Sequence, residues 1–372
     1  MKNHIKKNVH YNPFFQSYFF SSSEKNNKTI FNNYHNIIRI IKKFISIFLN
    51  ISFFILIVFD TFKIESIGND LDTIKYDIVI PLSFKDEKNI LKLESLLWKY
   101  INFSNIIIIS QNNSDILKEK NSINIINEDH LLPKENIINI FIKMGINNTE
   151  RAGWYEQQFL KMSYSKISEN EYYLLWDSDT FPTKPVKMFE NGFPIFDLKK
   201  EFNSPYFTLL NRLIPNLNFS KFSYISEHMI IKTEFMTKLI ETIENNKNIP
   251  GTSFWEKILL SIDKDVIINS GFSEFETYGS FVDNFYKNFY KHRKWSSKRD
   301  MVRYFNNIDN LSNNDLQWLS KDYNALTFEK WDIFDSKNLI FITKYNPKKK
   351  CRPKRFFKYY SRIIKKYKFQ KN

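Results

Sequence analysis

Uninterrupted apolar runs of strand length alternate with amphipathic stretches of helical length between residues 76 and 176. The apolar runs predict buried strands at Asp77–Pro81, Asn105–Ser110, Ile123–Ile126 and Tyr172–Trp176. The amphipathic stretches predict helices at about 86–100, 135–144 and 151–168. Short buried strands that alternate with helices are typical of an α/β domain with a mostly parallel central sheet, flanked by the helices. Ligands of such sheets bind at the carboxyl ends of the strands.

The two ends of the chain depart from this alternating pattern. The first 35 residues are polar, and a run of 16 residues without charge then extends from Phe44 to Phe59. A membrane-spanning helix needs about 20 apolar residues, so a short span, an interfacial helix and a buried helix all remain open for this run. We expect three regions: an N-terminal arm with a hydrophobic, membrane-associated helix at 1–70, the α/β domain at 71–343, and a basic aromatic tail at 344–372.

The net charge of +15 is concentrated at the two ends. Residues 344–372 contain 13 Lys or Arg and no Asp or Glu, and residues 1–43 contain 8 Lys or Arg and one acid. The middle of the chain is mildly acidic. A nucleic-acid-binding protein usually carries its positive charge on the folded domain, so we expect no nucleic acid partner. Basic ends instead favour contact with an anionic membrane surface.

Aromatic and aliphatic side chains lie between the cations of the tail: Phe356, Phe357, Tyr359, Tyr360, Ile363, Ile364, Tyr367 and Phe369. This interleaving favours an element that lies on a membrane surface. A solvated charge run and a nucleic-acid-binding segment are the alternatives. The one cysteine, Cys351, excludes an internal disulfide and a zinc site built from cysteines.

Two carboxylates follow the fourth predicted strand, in Asp177-Ser178-Asp179-Thr180. Carboxylates one residue apart at the mouth of a parallel sheet cannot both be buried without a partner. A hard cation with oxygen ligands, Mn²⁺ or Mg²⁺, would resolve this conflict by bridging Asp177 and Asp179 to a diphosphate. The alternative is a surface turn, in which Asp and Ser are common.

One face of the predicted helix at 151–168 combines an aromatic ring with polar groups. Trp154, Gln157, Gln158 and Lys161 follow one another at spacings that place them on the same side of a helix. Such a face suits contacts with a nucleotide, a diphosphate or a sugar. The alternative is an ordinary amphipathic helix whose tryptophan packs into the core.

Later segments supply further candidates for binding and catalysis. Glu227 and His228 lie where a polar triplet enters an apolar strand, and they are candidate contacts to donor or acceptor. Glu274 and Glu276 are two residues apart, so on an extended segment both would point to one side, where either could act as a general base. His292 is a second histidine that could contact a metal or a phosphate. A cap, a salt bridge or an ordinary hydrogen bond is the alternative for each of these residues.

The order and spacing of these motifs resemble those of glycosyltransferases with the GT-A fold, and more narrowly an uncharacterised, mainly bacterial family of such proteins. The resembling segments are Tyr76–Pro81, Gly153–Lys161, Leu175–Thr180, Ser226–Ile230 and Ser270–Gly279. The resemblance implies that Asp177 and Asp179 hold the Mn²⁺ or Mg²⁺ of a nucleotide-sugar donor. It also implies that the strand ending at Pro81 lies near the donor base.

The favoured function is transfer of a sugar from a nucleotide-sugar donor to a glycan or lipid-linked acceptor. In an inverting reaction, Glu276 first and Glu274 second would be the candidate base. We weigh two alternatives: a phosphatase of the haloacid-dehalogenase type, with an aspartate nucleophile, and a non-enzymatic protein that binds a membrane surface. The expected location is the cytoplasmic face of a bacterial inner membrane, or a Golgi-type membrane in a eukaryotic cell.

Overall fold

The computed structural model describes residues 74–83, 86–111, 122–329, 352–358 and 361. The N-terminal arm, the uncharged run from Phe44 to Phe59 and most of the basic tail lie outside these residues, and the three structures considered for the run stay predictions. Within the described ranges, none of the helices combines the length and the apolar character that crossing a membrane requires.

The strands and helices of the described part follow one another closely along the chain. The strands are β1 (Tyr76–Pro81), β2 (Ile106–Ile109), β3 (Ile123–Ile126), β4 (Tyr172–Trp176), β5 (Thr180–Pro182), β6 (Phe189–Glu190), β7 (Phe193–Leu198), β8 (His228–Lys232), β9 (Lys291–Lys294), β10 (Ser297–Lys298) and β11 (Ala325–Thr327). The helices are α1 (Glu87–Tyr100), α2 (Lys134–Lys143), α3 (Ala152–Ser163), α4 (Ser204–Leu213), α5 (Thr233–Asn245), α6 (Phe254–Leu260), α7 (Lys264–Ile267), α8 (Glu274–Phe285), α9 (Val302–Phe305) and α10 (Asn313–Leu319). Short 3₁₀ turns occupy Glu128–His130, Tyr164–Lys166 and Ile308–Asn310.

A five-stranded sheet in the order β3-β2-β1-β4-β8 forms the centre of the domain. Strands β1 to β4 are parallel, and β8 runs antiparallel to β4 at the edge. All residues of β1, β2 and β4 are buried, which explains why these strands appear in the sequence as continuous apolar runs. The predicted α/β class, with a mostly parallel sheet flanked by helices, is confirmed.

The order of the strands reverses between β1 and β4. From β1 the chain builds outward through β2 to β3, and then crosses back to place β4 on the other side of β1. The crevice outside the carboxyl ends of the two strands at such a reversal is where open α/β sheets bind ligands. Asp177 follows the last residue of β4 directly, so the Asp177-Ser178-Asp179-Thr180 segment begins at this crevice.

A second, three-stranded sheet holds the segment after Asp179. Strand β5 pairs antiparallel with β11, with Phe181 opposite Leu326 and Thr180 opposite Thr327. The backbone N–H of Phe328 donates to the carbonyl of Asp179 at 2.9 Å. The two aspartates are therefore fixed on one side by the central sheet and on the other by a strand that lies almost 150 residues further along the chain.

Two aromatic residues of the basic tail belong to the folded core. Residues 353–358 form a short helix in which Phe356 and Phe357 are buried. Phe357 packs edge to face on Tyr304 at 4.6 Å between ring centroids, and Phe356 packs on Trp318 at 5.3 Å. For these two residues the expected role in a membrane-surface element is wrong, because their apolar area is already covered by the domain.

Gly279→Ala is expected to lower the free energy of unfolding by about 1 to 3 kcal/mol, because overpacking a filled core forces neighbouring groups to move. A Cβ at Gly279, in the middle of α8, would overlap three atoms of the buried Tyr224 ring. Urea unfolding followed by circular dichroism measures the change. Gly153→Ala is the matched control, since that Cβ would meet only the flexible end of Lys134, and alanine favours a helix. Equal stability of the two variants would contradict the tight contact of Gly279 with Tyr224.

Candidate functional site

Asp177 and Asp179 lie in a tight turn between β4 and β5. The N–H of Thr180 donates to the carbonyl of Asp177 at 3.1 Å, and the Trp176 indole N–H donates to the carbonyl of Thr180 at 2.7 Å. The N–H of Asp177 donates to the carbonyl of Glu227 at 3.0 Å. The turn considered from the sequence as the alternative to a metal site is therefore present, and both aspartates are partly exposed in it. These backbone hydrogen bonds fix the turn, and the two carboxylates are its functional groups.

The carboxylate of Asp179 lies in a crowded acidic environment. Burial raises the pKa of Asp179 to about 8, and the carboxylates of Asp177, Glu329 and Asp86 add to the effect, with Arg299 opposing it. Asp86 comes from the loop after β1, so this crowding spans the crevice between β1 and β4. Such a point has more negative charge than its own cations balance, and it favours a bound cation.

Lys161 joins the carboxylate turn to the start of α8. Its ammonium lies 2.5 Å from Oδ1 of Asp177 and 2.6 Å from Oε1 of Glu274. The lysine side chain is only 4% exposed. Burial alone would lower the pKa of Lys161, but the two carboxylates outweigh it and raise the pKa above its ordinary value. This lysine stays charged and holds Asp177 in place.

A second ion-pair network surrounds Glu227, whose backbone adopts a positive φ of 64°. Its carboxylate is 2% exposed and binds the ammonium of Lys199, the indole N–H of Trp295 at 3.3 Å and the hydroxyl of Ser297 at 3.0 Å. Arg299 lies 3.4 Å from the same carboxylate. A left-handed backbone is unusual for glutamate, and these side-chain contacts hold Glu227 in it. In this conformation the carbonyl of Glu227 accepts the hydrogen bond from the N–H of Asp177.

Arg299 is the centre of this network. Its guanidinium lies 2.6 Å from Glu329, 3.3 Å from Glu201 and 3.4 Å from Glu227. Burial would lower its pKa, and these three carboxylates raise it instead. A guanidinium presents several donors in a fixed plane, so one arginine can bind the carboxylates of three separate chain segments.

A pocket of about 440 Å³ lies between these two networks. Its charged lining residues are Lys161, Asp177, Glu201, Glu227, Glu274 and Arg299. Its remaining lining residues are Trp154, Gln157, Gln158, Phe202, Asn203, Tyr206, Ile225, Phe272, Ser273 and Phe275. The volume is within the range of small-molecule sites, about 300 to 1,000 Å³.

Most of the residues singled out in the sequence meet at this pocket. Trp154, Gln157, Gln158 and Lys161 line it from α3, as the helical spacing predicted, and Asp177, Glu227 and Glu274 line it from three other elements. Gln158 also accepts from the N–H of Glu274 at 3.3 Å, which ties α3 to the start of α8. The structure thus brings together segments that are 116 residues apart.

His228 and His292 are not among the lining residues. The His228 ring is buried, with Nε2 2.9 Å from Asp197 and Nδ1 2.9 Å from the carbonyl of Ser226. Both ring nitrogens are thus engaged within the fold, and the expected contact of His228 with donor or acceptor is not supported. His292 lies on β9, half exposed, and pairs with Asp283 at 2.9 Å.

The expectation that Glu274 and Glu276 share one side of an extended segment is wrong. Both belong to the first turn of α8, where residues two apart point to different sides of the helix. Glu274 faces Lys161, whereas Oε2 of Glu276 accepts from the hydroxyl of Ser223 at 2.9 Å and the N–H of Tyr224 at 3.1 Å. Glu276 is buried and does not line the pocket. Burial raises the pKa of Glu276 to about 7.

Six lining residues lie outside every motif recognised in the sequence: Glu201, Phe202, Asn203, Tyr206, Ile225 and Arg299. Arg299 follows no motif, because its three partners lie far from it in the chain. Glu201, Phe202 and Tyr206 precede or begin α4, and the only signal there is Pro205 at the start of a helix. Phe202 is the most exposed of the large apolar residues in the described part, at 78%.

Asp177 and Asp179 supply the carboxylate oxygens that this crevice offers to a divalent cation. No cluster of three or more His, Cys, Asp or Glu side chains suited to a metal occurs among the described residues. Mg²⁺ typically uses one or two carboxylates together with water and substrate phosphates, rather than a cage made only of protein groups. Two partly buried carboxylates in an acidic environment fit that pattern.

The sequence profile of a family of unknown function, DUF6492, matches residues 73–338. No curated protein sequence matches the chain at a significant level. Similar solved structures include the mannosyltransferase Ktr4p of S. cerevisiae in complex with GDP, at a TM-score of 0.33 and 14% identity over 52% of this chain and 68% of that one. Mouse xyloside xylosyltransferase 1 matches at a TM-score of 0.38 and 12% identity, over 70% of this chain and 99% of that one. The glycosyltransferase GlyE of Streptococcus pneumoniae matches at a TM-score of 0.31 and 11% identity, over 73% of this chain and 61% of that one. All these TM-scores are below 0.5, so the function is inferred from this chain's own residues.

Proposed function

We propose that this chain, which belongs to the DUF6492 family, transfers a sugar from a nucleotide-sugar donor to a hydroxyl of an acceptor. The observation that carries the proposal is the Asp177 and Asp179 pair. It lies at the carboxyl end of β4, beside the reversal of strand order, in an environment with more carboxylates than cations. A nucleoside diphosphate bound through a divalent cation is the ligand whose charge complements this edge.

The residues that would hold Mn²⁺ or Mg²⁺ are Asp177 and Asp179. When bound, the cation would neutralise the charge of the diphosphate leaving group. The chain's own residues set the geometry: Lys161 fixes the Asp177 carboxylate, and the hydrogen bond from Phe328 fixes the backbone of Asp179. Rigid placement of such groups lowers the reorganisation needed during reaction.

The two glutamates that the sequence offered as candidate bases lie in different surroundings in the folded chain. Of the pair, only Glu274 lines the pocket, so in an inverting reaction Glu274 would be the candidate base and Glu276 would not. Burial raises the pKa of Glu274, while Lys161 lowers it. The anomeric configuration of the product, read by proton NMR, tests this role, because a retained configuration removes the need for a base at Glu274.

We also propose that the protein is membrane-associated at the cytoplasmic face and acts on a glycan or lipid-linked acceptor. The support is the sequence of the two ends, in which basic residues far outnumber acidic ones, together with the apolar run from Phe44 to Phe59. Fractionation of cells that express the full chain, with and without a high-salt wash, tests the location. Recovery in the supernatant of low-salt extracts would contradict it.

The experiment that tests the transferase proposal uses the full chain and a panel of UDP-, GDP- and CDP-sugars, with Mn²⁺ or with EDTA. Release of nucleoside diphosphate from one donor, dependent on Mn²⁺, is the expected result. Release of inorganic phosphate from phosphorylated substrates, without any release from the donors, would support the phosphatase alternative. Absence of both activities and of Mn²⁺-dependent nucleotide binding would leave the non-enzymatic alternative.

Glu276→Gln is expected to retain transfer activity within about threefold, because Glu276 does not line the pocket. Loss of a general base would instead lower the rate by about a hundredfold or more. Its Oε1 has no hydrogen-bond partner and its pKa is raised to about 7, so the charged form is unfavourable in the fold. A raised pKa means that stability falls as pH rises from 4.5 to 7. The variant should therefore unfold at higher temperature than the wild type at pH 8 and at a similar temperature at pH 4. A hundredfold loss of activity would restore Glu276 as the base.

A further inference from the structure

The pocket includes Asp177 in its lining, whereas Asp179 is not among its described lining residues. Asp86, just before α1, is not among them either. The pocket is instead lined from α3, from residues 201–206, from Ile225 and Glu227 before β8, from the start of α8, and from Arg299. None of its described lining residues comes from β1, β2 or β3 or from the helices that connect them. Asp177 thus belongs both to the pocket lining and to the carboxylate turn after β4, so two ligands could meet at this residue.

The charges of the pocket oppose a phosphate or a carboxylate ligand. Its carboxylates are Asp177, Glu201, Glu227 and Glu274, whereas its cations are Lys161 and Arg299. Lys161 is enclosed between Asp177 and Glu274, and Arg299 is bound by three carboxylates. Both lining cations are therefore already paired, and Lys199, behind the lining, is paired with Glu201 and Glu227. The four lining carboxylates still outnumber these three cations, so an anionic group entering this pocket would meet an excess of negative charge.

The uncharged part of the lining has the composition of a carbohydrate site. Aromatic rings are present at Trp154, Phe202, Tyr206, Phe272 and Phe275, and side-chain amides at Gln157, Gln158 and Asn203. A sugar ring presents C–H groups on its faces and hydroxyls at its edge, so it packs on aromatic rings and exchanges hydrogen bonds with amides and carboxylates. Carboxylates in particular accept hydrogen bonds from hydroxyls without needing a positive ligand.

Phe202 is the side chain that gives this site an exposed aromatic face. Its ring is 78% exposed, lines the pocket and stacks on Phe207 at 4.8 Å between centroids and 12° between planes. Phe207 is itself buried and packs edge to face on Phe219 at 5.0 Å. An exposed phenylalanine that is held by a buried ring keeps its orientation, which suits a platform for a ligand better than a freely rotating side chain would.

We propose that this pocket is the acceptor site and that it selects an uncharged sugar ring, which packs on Phe202 with its hydroxyls directed to the carboxylates. The proposal rests on the transferase function proposed above, and it narrows the acceptor from a glycan or lipid-linked molecule to one whose sugar beside the donor carries no phosphate or carboxylate. The nucleotide-sugar donor occupies the crevice on the β1 side of Asp177 and Asp179.

The test is saturation-transfer NMR on the full chain with a panel of monosaccharide derivatives. The uncharged probes are the methyl glycosides of glucose, galactose and N-acetylglucosamine, and the anionic probes are methyl glucuronide and glucose 1-phosphate. At least one uncharged probe is expected to bind, and the anionic probes are expected to bind at least about tenfold more weakly. Binding of the anionic probes at equal or higher affinity would overturn the proposal, as would no binding of any uncharged probe in the presence of Mn²⁺ and nucleoside diphosphate.

Substitutions of Phe202 separate stacking from general apolar contact. Phe202→Tyr should keep the affinity for the uncharged probe, while Phe202→Leu and Phe202→Ala should each lower it by roughly threefold to tenfold, as expected for loss of an aromatic contact. Phe285→Ala is the matched control, because Phe285 is 57% exposed but does not line the pocket. Equal affinity of the Phe202→Ala variant and the wild type would overturn the role of the ring.

Glu201→Gln tests the charge selection separately. Glu201 is exposed at the edge of the pocket, and the substitution keeps its size while it removes one negative charge. We expect the affinity for methyl glucuronide to rise relative to that for methyl glucoside. An unchanged ratio would contradict charge selection by the lining.

The outcome for the acceptor site can be distinguished from the outcome for the transferase proposal. Binding of UDP or GDP with Mn²⁺, measured by calorimetry, reports on the crevice alone. Nucleotide binding without any binding of an uncharged glycoside would reject the acceptor assignment and leave the transferase proposal standing. Glycoside binding that depends on Phe202, without nucleotide binding, would identify a carbohydrate-binding protein and reject the transferase.

Discussion

Asp179→Asn is expected to abolish Mn²⁺-dependent binding of a nucleoside diphosphate and to lower sugar transfer by at least about a hundredfold. Asparagine keeps the size of the side chain and an oxygen, but it removes the charge that attracts a divalent cation. Burial and the carboxylates of Asp177, Glu329 and Asp86 disfavour the ionised form of Asp179 in the free protein. The substitution should therefore leave the stability unchanged or raised while it removes function.

Two measurements together test this prediction. Calorimetric titration of the nucleoside diphosphate with and without Mn²⁺ gives the loss of binding, and thermal unfolding gives the change in stability. The matched control is Asp309→Asn, which makes the same change at an exposed aspartate in the 3₁₀ turn Ile308–Asn310, outside the carboxylate turn. Unchanged nucleotide affinity in Asp179→Asn would show that this carboxylate does not hold the cation. A large loss of stability would show that Asp179 is a structural residue.

A combination of high stability and low activity is the expected signature of a functional carboxylate. Groups placed for function often carry unfavourable electrostatics in the unbound protein, and their neutral replacements stabilise the fold. Burial raises the pKa of Glu276 as well, but its carboxylate accepts hydrogen bonds from Ser223 and Tyr224 within the fold, so Glu276 is not expected to meet a ligand. A perturbed pKa alone does not mark a catalytic group, because the position of the side chain relative to a ligand decides its role.

The central sheet could be predicted because its signals are local. Strands β1, β2 and β4 are buried on both faces, so each appears as an apolar run, whereas the edge strand β3 is only partly buried and interrupts its isoleucines with the exposed Asn124. The bounds predicted for Ile123–Ile126 and Tyr172–Trp176 agree with the structure. The predicted end of the helix at 151–168 was too late. The α-helix stops at Ser163 and continues as a 3₁₀ turn to Lys166, and tightening of a last turn leaves no clear trace in the spacing of apolar residues.

The segment around Glu274 and Glu276 was predicted to be extended, although its sequence contains a helix-start signal. Ser273 followed three residues later by Glu276 is the spacing of a capping box, which marks the start of a helix. In the structure the Ser273 hydroxyl does accept from the N–H of Glu276 at 3.2 Å. The Glu276 side chain, however, turns to Ser223 and Tyr224, so half of the motif is used for a tertiary contact.

The ion-pair networks of the site could not be predicted, because their partners are distant in sequence. Arg299 lies in no recognisable pattern, and its contacts with Glu201, Glu227 and Glu329 follow from packing of three separate segments. Likewise, the helical spacing placed Lys161 on the correct face of α3, but only the folded structure shows that its ammonium joins Asp177 to Glu274. Sequence spacing predicts the face that a side chain occupies, and the partner across that face comes from the topology.

Lys161→Met is expected to lower the free energy of unfolding by about 3 to 5 kcal/mol, the effect of removing one partner from a buried ion pair. The Lys161 and Glu274 side chains are 4% and 5% exposed, and the lysine serves Asp177 as well. Methionine fills a similar volume, so the loss comes from carboxylates left without a cation and not from a cavity. Urea unfolding of the purified variant at pH 7 measures the difference.

A double substitution shows whether charge is the cause. In Lys161→Met with Glu274→Gln, one of the two unpaired carboxylates is neutral, so part of the lost stability should return. Lys238→Met is the matched control, because Lys238 pairs with Glu234 on an exposed helical face and its removal should change stability little. If the double variant is no more stable than the single one, the loss arises from packing rather than from the unpaired carboxylate.

The pH dependence of the Lys161→Met variant supplies an independent check. Burial and Asp177 raise the pKa of Glu274 above its usual 4.5, and Lys161 is the group that counteracts this rise. Without the lysine, the folded protein disfavours the ionised glutamate more strongly, so the penalty is present above pH 4.5 and disappears below it. The stability difference between wild type and variant should therefore narrow as pH falls from 7 to 4. A difference that stays constant over this range would mean that Lys161 supports the site through its apolar stem, and that Asp177 is held by the turn alone.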